Sequence, residues 1–397
     1  MILGDYNGLS IALLVFFVLY LIYTRCLFPR FNKPPGTFKG NFDHKHPDFI
    51  QRRLRKFPPP YPNGWYKLCD VTDLAHGNIV SVTCLGLDLV VFRGKNTQHE
   101  GAIGVLDAFC PHLGAHLGQG GTVDKGCIKC PFHGWRMNTD GKCESIPYLE
   151  PGCPVPQAAG TKVYTHCVYN GMVFLWFHAE GEDPTFELMK VPITSSWVRH
   201  GTACTTYDMH IVDMAENSAD YFHFNYLHGP VEVPLLKSLI HMTYNTKVFF
   251  PDDEAKRHTI YFENYATTIV LKFLTVPYIQ KTRVTFDGPG VVHFDIQTPL
   301  GHMWLIKTNL PRRPFDLYSE DAWFAEPRTP RWLVRLVTTI AKGALEQDRE
   351  VWQNRLFTGK PFLVKGDGPF PQYRKWFDQF YSENSVKVAQ ERTALTW

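Results

Sequence analysis

The sequence predicts an α+β protein: an apolar N-terminal helix, a small β-rich domain, and a larger domain built on an antiparallel sheet with helices over it. Three observations carry that prediction. Leu9 to Tyr23 is an uncharged apolar run. Residues from about 65 to 180 hold short β-branched and aromatic runs between turn signals. Beyond Gly181, alternating strand-like segments mix with helical ones, the pattern of an α+β fold. A chain of 397 residues accommodates two or three domains, and its 44% hydrophobic and 20% charged content is that of a globular protein with an ordinary core. A net charge of +3 without a basic, aromatic-rich stripe excludes nucleic acid as the expected partner. The ten cysteines lack the spacing of a disulfide framework, which favours a reducing compartment.

Taken in order, residues 1–31 are expected to form a membrane anchor. LSIALLVFFVLYLIY lies at the short end of what spans a bilayer, with Tyr20 and Tyr23 suited to the interface and Arg25 able to snorkel. A cleaved signal peptide fits less well, because Asp5 replaces a basic n-region and Tyr23-Thr24-Arg25 replaces a small-residue cleavage site. A buried core helix is the third reading. Arg25, Arg30, Lys33 and Lys39 follow the run, so the positive-inside rule predicts a single-pass protein with a cytosolic body. Residues 32–63 read as a Pro-rich basic linker, a semi-rigid spacer whose Arg52–Lys56 run either touches anionic lipid or is simply solvated. The β-rich domain then covers 64–180, with strands expected at Ile79–Cys84, Asp88–Arg93 and Met172–Phe177. The larger domain covers 181–397. Its strands are expected near 201–213, 258–275, 281–297 and 302–309, and its helices near 214–227 and 331–355.

Chemistry concentrates first in CPHLGAHLGQGGTVDKGCIKCPFHGW, Cys110 to Trp135. Cys110 and His112 share one tight turn, Cys130 and His133 another, and seventeen residues separate His112 from Cys130. Two thiolates and two imidazoles suit zinc or a two-iron cluster. Zinc fingers usually pair Cys with Cys and His with His. Mixed turns instead suit a Rieske [2Fe-2S] centre, in which two Cys hold one iron and two His the other. Here the sequence resembles the Rieske family, whose Cys-x-His and Cys-x-x-His pattern it matches without a gap.

A second constellation lies in ENSADYFHFNYLHG, Glu216 to Gly229. Asn217, Asp220 and His223 recur at helical i, i+3 spacing and are expected on one face. His228 follows His223 by five residues, so both imidazoles meet one ion only where the helix ends or distorts; Gly229-Pro230 is the stop signal. Two His and a carboxylate on one side of an iron make the facial triad of non-haem Fe(II) oxygenases. The carboxylate must come from elsewhere in the chain.

Together with the anchor and the join FPPPYPNGWYKL at Phe57–Leu68, both motifs look like the cholesterol 7-desaturase family, the Neverland-type Rieske non-haem iron oxygenases. That resemblance implies a helix-grip-like catalytic domain. It places the third iron ligand in a late helix like EQDREVWQNR, where Asp348 is followed by Trp352 and Glu346 and Glu350 are fallbacks. It also implies that Asp220 joins the two centres, from His133 of one subunit to His223 of its neighbour, in a head-to-tail homotrimer. No dinucleotide-binding strand–GxGxxG–helix unit appears, so electrons from NAD(P)H are expected through a separate ferredoxin and reductase. The implied activity converts cholesterol to 7-dehydrocholesterol for steroid hormone synthesis, with the endoplasmic reticulum as the expected membrane. Steroid hydroxylases of the same class and chlorophyll-pathway Rieske oxygenases are the alternatives. A respiratory-type electron carrier fits poorly, because Ala115 and Phe132 stand where its loop cysteines belong and it needs no second iron site.

Overall fold

A computed structural model describes residues 42–94, 101–231, 240–270 and 274–385. The apolar run Leu9–Tyr23 lies outside the described residues; among those described, no helix is long and apolar enough to cross a membrane.

The expected spacer contains, where described, a packed helix. In α1 (Pro47–Lys56) Pro47 occupies the first turn, the His46 ring accepts the Asp48 N–H, and Arg53, Arg55 and Lys56 sit in the last turn. Proline at the start and cations at the end both favour a helix. The i, i+4 spacing puts Phe49 and Arg53 on one buried face, and Phe57 is buried just beyond. Arg52, Arg55 and Lys56 face solvent. Pro58-Pro59-Pro60 therefore terminates a packed helix and does not extend a spacer.

The β-rich unit consists of β1 (Gly64–Asp70), β2 (Ile79–Cys84), β3 (Leu87–Arg93), β4 (Ile103–Asp107), β5 (Thr122–Asp124), β6 (Cys127–Lys129), β7 (Arg136–Met137), β8 (Cys143–Ser145), β9 (His166–Tyr169) and β10 (Met172–Phe177). They form three small antiparallel sheets, ordered β1-β10-β9, β2-β3-β4 and β5-β6-β7-β8. Val90, Phe92, Leu106, Ile128 and Met137 form a core that also encloses Cys110 and Cys130.

In the second unit, β11 (Val198–Tyr207) leads into α2 (Ile211–Asn217) and α3 (Tyr221–Leu227), followed by β12 (Pro230–Val231), β13 (Ile240–Phe249), β14 (Thr259–Val270), β15 (Leu274–Asp287), β16 (Val291–Thr298), β17 (Gly301–Arg313), β18 (Asp316–Ala325), α4 (Arg331–Trp352) and α5 (Phe370–Asp378). One antiparallel sheet runs β11-β18-β17-β16-β15-β14-β13-β12. Leu333 and Val334 of α4 pack on Ile296, Leu305 and Trp323 of the sheet. The strand expected at 201–213 stops at Tyr207, because buried His210 and Asp213 form a reciprocal cap that opens α2.

The single strand expected over 281–297 is a hairpin. Gly288 takes a φ of 68° between β15 and β16. A Cβ on Gly290 would meet the Trp65 carbonyl and the Tyr66 ring, so this turn seats directly on β1. The two units share one core, in which Tyr66, Leu89 and Leu175 join Phe262, Phe286, Trp352 and Tyr373. Burying each such side chain contributes roughly 1.5–3 kcal/mol, so the units are held as one body by packing and not by a linker.

Candidate metal centres

The cluster-type motif folds as two nearly equivalent turns. In the first, Cys110 N–H donates to Ala115 O at 2.9 Å and Gly114 N–H to Cys110 O at 3.0 Å. In the second, Cys130 N–H donates to Trp135 O at 2.8 Å and Gly134 N–H to Cys130 O at 3.1 Å. Gly114 and Gly134 reverse the chain at φ of 71° and 76°, a conformation that favours glycine. Both sulfurs are buried and in contact, and burial pushes the Cys110 thiol up to about 11. A thiol so shifted becomes a ligand when a metal's charge replaces the proton. The His112 and His133 rings lie 4.7 Å apart at 71°, and buried His112 Nδ1 has no hydrogen-bond partner among the described residues. These four donors fit a two-iron cluster: the sulfurs lie inside, and an imidazole nitrogen lacks only a metal. Trp135 stacks on His112 at 4.7 Å and donates to the Tyr148 hydroxyl at 2.9 Å, a support that sequence reasoning did not find.

The second motif is not one helix. α2 ends at Asn217, and Asp220, extended at φ −87° and ψ 96°, opens α3 by accepting the His223 N–H at 3.2 Å. Asn217, Asp220 and His223 therefore do not share a helical face. His228 caps the far end of α3 at φ −103° and ψ −8°. That departure from the helix brings both imidazoles to one point. His228 Nε2 is 3.1 Å and His223 Nε2 3.9 Å from Asp348 Oδ1, and the three ligand atoms lie within 4.8 Å of one another. Buried His223 Nε2 has no hydrogen-bond partner among the described residues. A divalent ion suits this set of two imidazoles and one carboxylate. Glu346 instead pairs with Arg349 at 3.4 Å, and Glu350 is exposed; neither joins the group.

Each ligand is held from behind. His228 Nδ1 meets Gln347 Oε1 at 2.9 Å, His223 Nδ1 meets the Asp220 carbonyl at 2.6 Å, and Asn217 Nδ2 donates to Asp348 Oδ2 at 3.2 Å. Such bonds fix both imidazoles with Nε2 toward the carboxylate. Within the chain, Asp220 thus orients the His223 ring through its backbone carbonyl, while its carboxylate caps the helix. Asn225 pins α3 to the sheet, donating to Tyr244 O at 3.1 Å and accepting Tyr244 N–H at 2.7 Å. Burial lowers the pKa of His223, outweighing Asp348. Burial also acts to lower that of His228, but the Asp348 bond prevails and raises it.

From His228 and Asp348 a cavity of about 220 Å³ extends between the sheet and α4. Phe262, Phe286, Phe294, Leu305, Trp323 and Ile340 make most of its wall apolar. The Lys307 ammonium on that wall is paired with Asp321 at 3.0 Å.

Two family models match the chain, one on each unit. Residues 64–165 match the Rieske [2Fe-2S] domain, and residues 175–295 and 315–381 match the 3-ketosteroid 9alpha-hydroxylase C-terminal domain. The cholesterol 7-desaturase of Xenopus laevis is 34% identical over 88% of this chain and 79% of its own length. The chain belongs to the cholesterol 7-desaturase family of Rieske oxygenases. The Bombyx mori cholesterol 7-desaturase is 33% identical over 96% of this chain and 85% of its own. A probable 3-ketosteroid-9-alpha-monooxygenase oxygenase component of Rhodococcus rhodochrous is 29% identical over 82% of this chain and 81% of its own. Dicamba monooxygenase shares the fold, with a TM-score of 0.59 at 13% identity over 85% of this chain and 99% of the other. Membership of that family makes this chain an oxidoreductase with a Rieske [2Fe-2S] domain and a mononuclear iron centre.

Proposed function

We propose that the chain desaturates cholesterol at C7–C8, giving 7-dehydrocholesterol. The observation that carries this reading is that the His223, His228 and Asp348 group opens, through His228 and Asp348, onto a largely apolar cavity. The names of the relatives supply the sterol. In the balanced reaction the sterol loses the hydrogens on C7 and C8, dioxygen is reduced to two waters, and NAD(P)H supplies two electrons and a proton with one more from solvent. Cys110, Cys130, His112 and His133 would hold the cluster, and His223, His228 and Asp348 the iron, which supplies dioxygen activation when bound. The chain's own contribution is positional. Asn217 keeps Asp348 Oδ2 engaged, Gln347 and the Asp220 carbonyl aim the imidazoles, and the aromatic wall keeps water from the sterol's B ring.

Hydroxylation is the second reading, favoured by the match of the catalytic unit to the 3-ketosteroid 9alpha-hydroxylase domain. Purified protein with Fe(II), a surrogate ferredoxin and reductase, NAD(P)H, oxygen and cholesterol decides between them by mass spectrometry. A 5,7-diene supports desaturation, and a hydroxysterol supports the second reading. No product from protein with both centres filled overturns both.

The same proposal includes a head-to-tail homotrimer. Leu113 and Phe132 beside the cluster turns are 64% and 63% exposed, and Phe222 and Tyr226 on α3 are 63% and 87% exposed. Seating one copy's cluster turns on the next copy's α3 covers both patches and offers His133 to Asp220. It also includes a single-pass anchor at Leu9–Tyr23 in the endoplasmic reticulum, which would place the cavity beside a bilayer that holds sterol.

A further inference from the structure

Three arginines remote in sequence converge on two carboxylates of α2. Arg355 Nε lies 3.0 Å from Asp213 Oδ1, and its Nη2 lies 2.6 Å from Glu216 Oε2. Arg374 Nε reaches Glu216 Oε1. Arg53, from α1, places Nη2 3.8 Å from Asp213 Oδ2. Three cations against two anions leave one positive charge over, and backbone oxygens face it. Arg53 Nη1 donates to Asp208 O at 3.0 Å and Gln353 O at 3.3 Å, and Nη2 to Trp352 O at 3.2 Å. Trp352 and Gln353 end α4, where carbonyls lack helical partners and the dipole favours a cation. The guanidinium also lies 4.2 Å from the Phe315 ring centroid, and its side chain is 2% exposed.

This arrangement bears on the iron site through two short connections. Asp348 lies one helical turn before the carbonyls that Arg53 holds. Asp213 lies one turn before Asn217, which grips Asp348 Oδ2, and α2 leads into the helix of His223 and His228. Arg53 therefore ties the last turn of the carboxylate's helix to the helix that precedes the imidazoles. A buried cation is costly to desolvate, and a hydrophobic side chain of similar volume would pack Phe49, Phe57 and Phe315 without that cost. Only a planar fork reaches three carbonyls and a carboxylate together.

We propose that Arg53 is a positioning residue for the mononuclear metal centre. By locking the end of α4 against α2, it sets the reach of Asp348 Oδ1 toward the two imidazoles. The segment ahead of the Rieske unit is thereby part of the iron site's scaffold. The inference rests on the reading of His223, His228 and Asp348 as iron ligands.

The test uses full-length wild type, Arg53→Met and Arg53→Lys, each with its cluster in place. Fe(II) affinity at the mononuclear site is measured anaerobically by chelator competition, and the cluster is monitored by its visible and EPR spectra. Arg53→Met is expected to weaken Fe(II) binding by about tenfold or more, the scale for groups that hold ligands from behind. Arg53→Lys keeps the charge but not the fork, and is expected to fall between Met and wild type. The cluster spectra stay unchanged in both. Fe(II) affinity equal to wild type in the variants overturns the proposal. So does loss of cluster and Fe(II) together in Arg53→Lys, which would make Arg53 a general fold residue; that variant alone decides if Arg53→Met does not fold. A wild-type protein that binds no Fe(II) at these residues overturns the ligand reading itself, before any variant is compared.

Discussion

Replacing Gln347 with leucine isolates one supporting bond of the iron site. The Gln347 side chain accepts from His228 Nδ1 at 2.9 Å, and the His228 side chain is 6% exposed. A buried donor left unsatisfied costs about 1–3 kcal/mol. At roughly 1.4 kcal/mol per tenfold, that corresponds to about a 5- to 150-fold loss of Fe(II) affinity. The figure brackets the roughly 10- to 100-fold seen when partners of metal-bound imidazoles are removed. Chelator competition with Fe(II) under anaerobic conditions measures it, with the visible spectrum of the cluster as the internal control. Gln347→Glu keeps an acceptor at the same reach and is expected to bind Fe(II) at least as well as wild type. The reasoning fails if the leucine variant matches wild type, or if the glutamate variant loses as much as the leucine variant.

Asp348→Ala is expected to abolish both Fe(II) binding and turnover, whereas Glu346→Ala should retain both, because Glu346 only pairs with Arg349; iron analysis and product assay check the pair. Asp220→Asn preserves a helix cap, since Asn caps as well as Asp, and so removes only the charge. Its cluster should still be reducible by EPR while product formation stops; continued turnover would show that the carboxylate is not needed for electron delivery. Buried Asp287 is opposed by burial, yet His258, His293 and the Met189 N–H hold its pKa below the ordinary aspartate value. A depressed folded value gives stability that is fully present above the unfolded value of about 3.9 and lost as pH falls through the folded one. Asp287→Ala should therefore cost roughly 1–3 kcal/mol at neutral pH, with a deficit in urea unfolding that closes on acidification.

What could be read without coordinates depended on how local the information was. Cys110, His112, Cys130 and His133 declare themselves because each pair sits on its own glycine-closed turn. The late ligand was different. Asp348 lies far along the chain from His223, and resemblance, not spacing, singled it out from Glu346 and Glu350. Gln347 carried no signal, since a polar residue beside an acidic one on a helix is ordinary. The continuous helix expected over 214–227 overlooked a break at Ser218-Ala219, which contains neither Gly nor Pro. That break is set by the Asp220 cap and by Gly368, where a Cβ would collide with the Ala219 carbonyl. At 281–297 the alternation in the flanking runs outweighed Asp287-Gly288-Pro289-Gly290, a turn signal that the sequence itself carries. Between 32 and 63 the prolines outweighed the i, i+4 pair Phe49 and Arg53, so a buried helix read as a spacer. For the helix break and the buried helix, the deciding contacts come from distant segments, which a local pattern does not contain.

The most direct measurement is a single turnover with isotopically labelled dioxygen. Protein with both centres filled and the cluster reduced is loaded with cholesterol, mixed with the labelled gas, and quenched for EPR and mass spectrometry. The account predicts that the reduced-cluster signal decays as the 5,7-diene forms, with the label entering water and none entering the sterol. A sterol carrying the label, or a cluster that stays reduced while product appears, would contradict it.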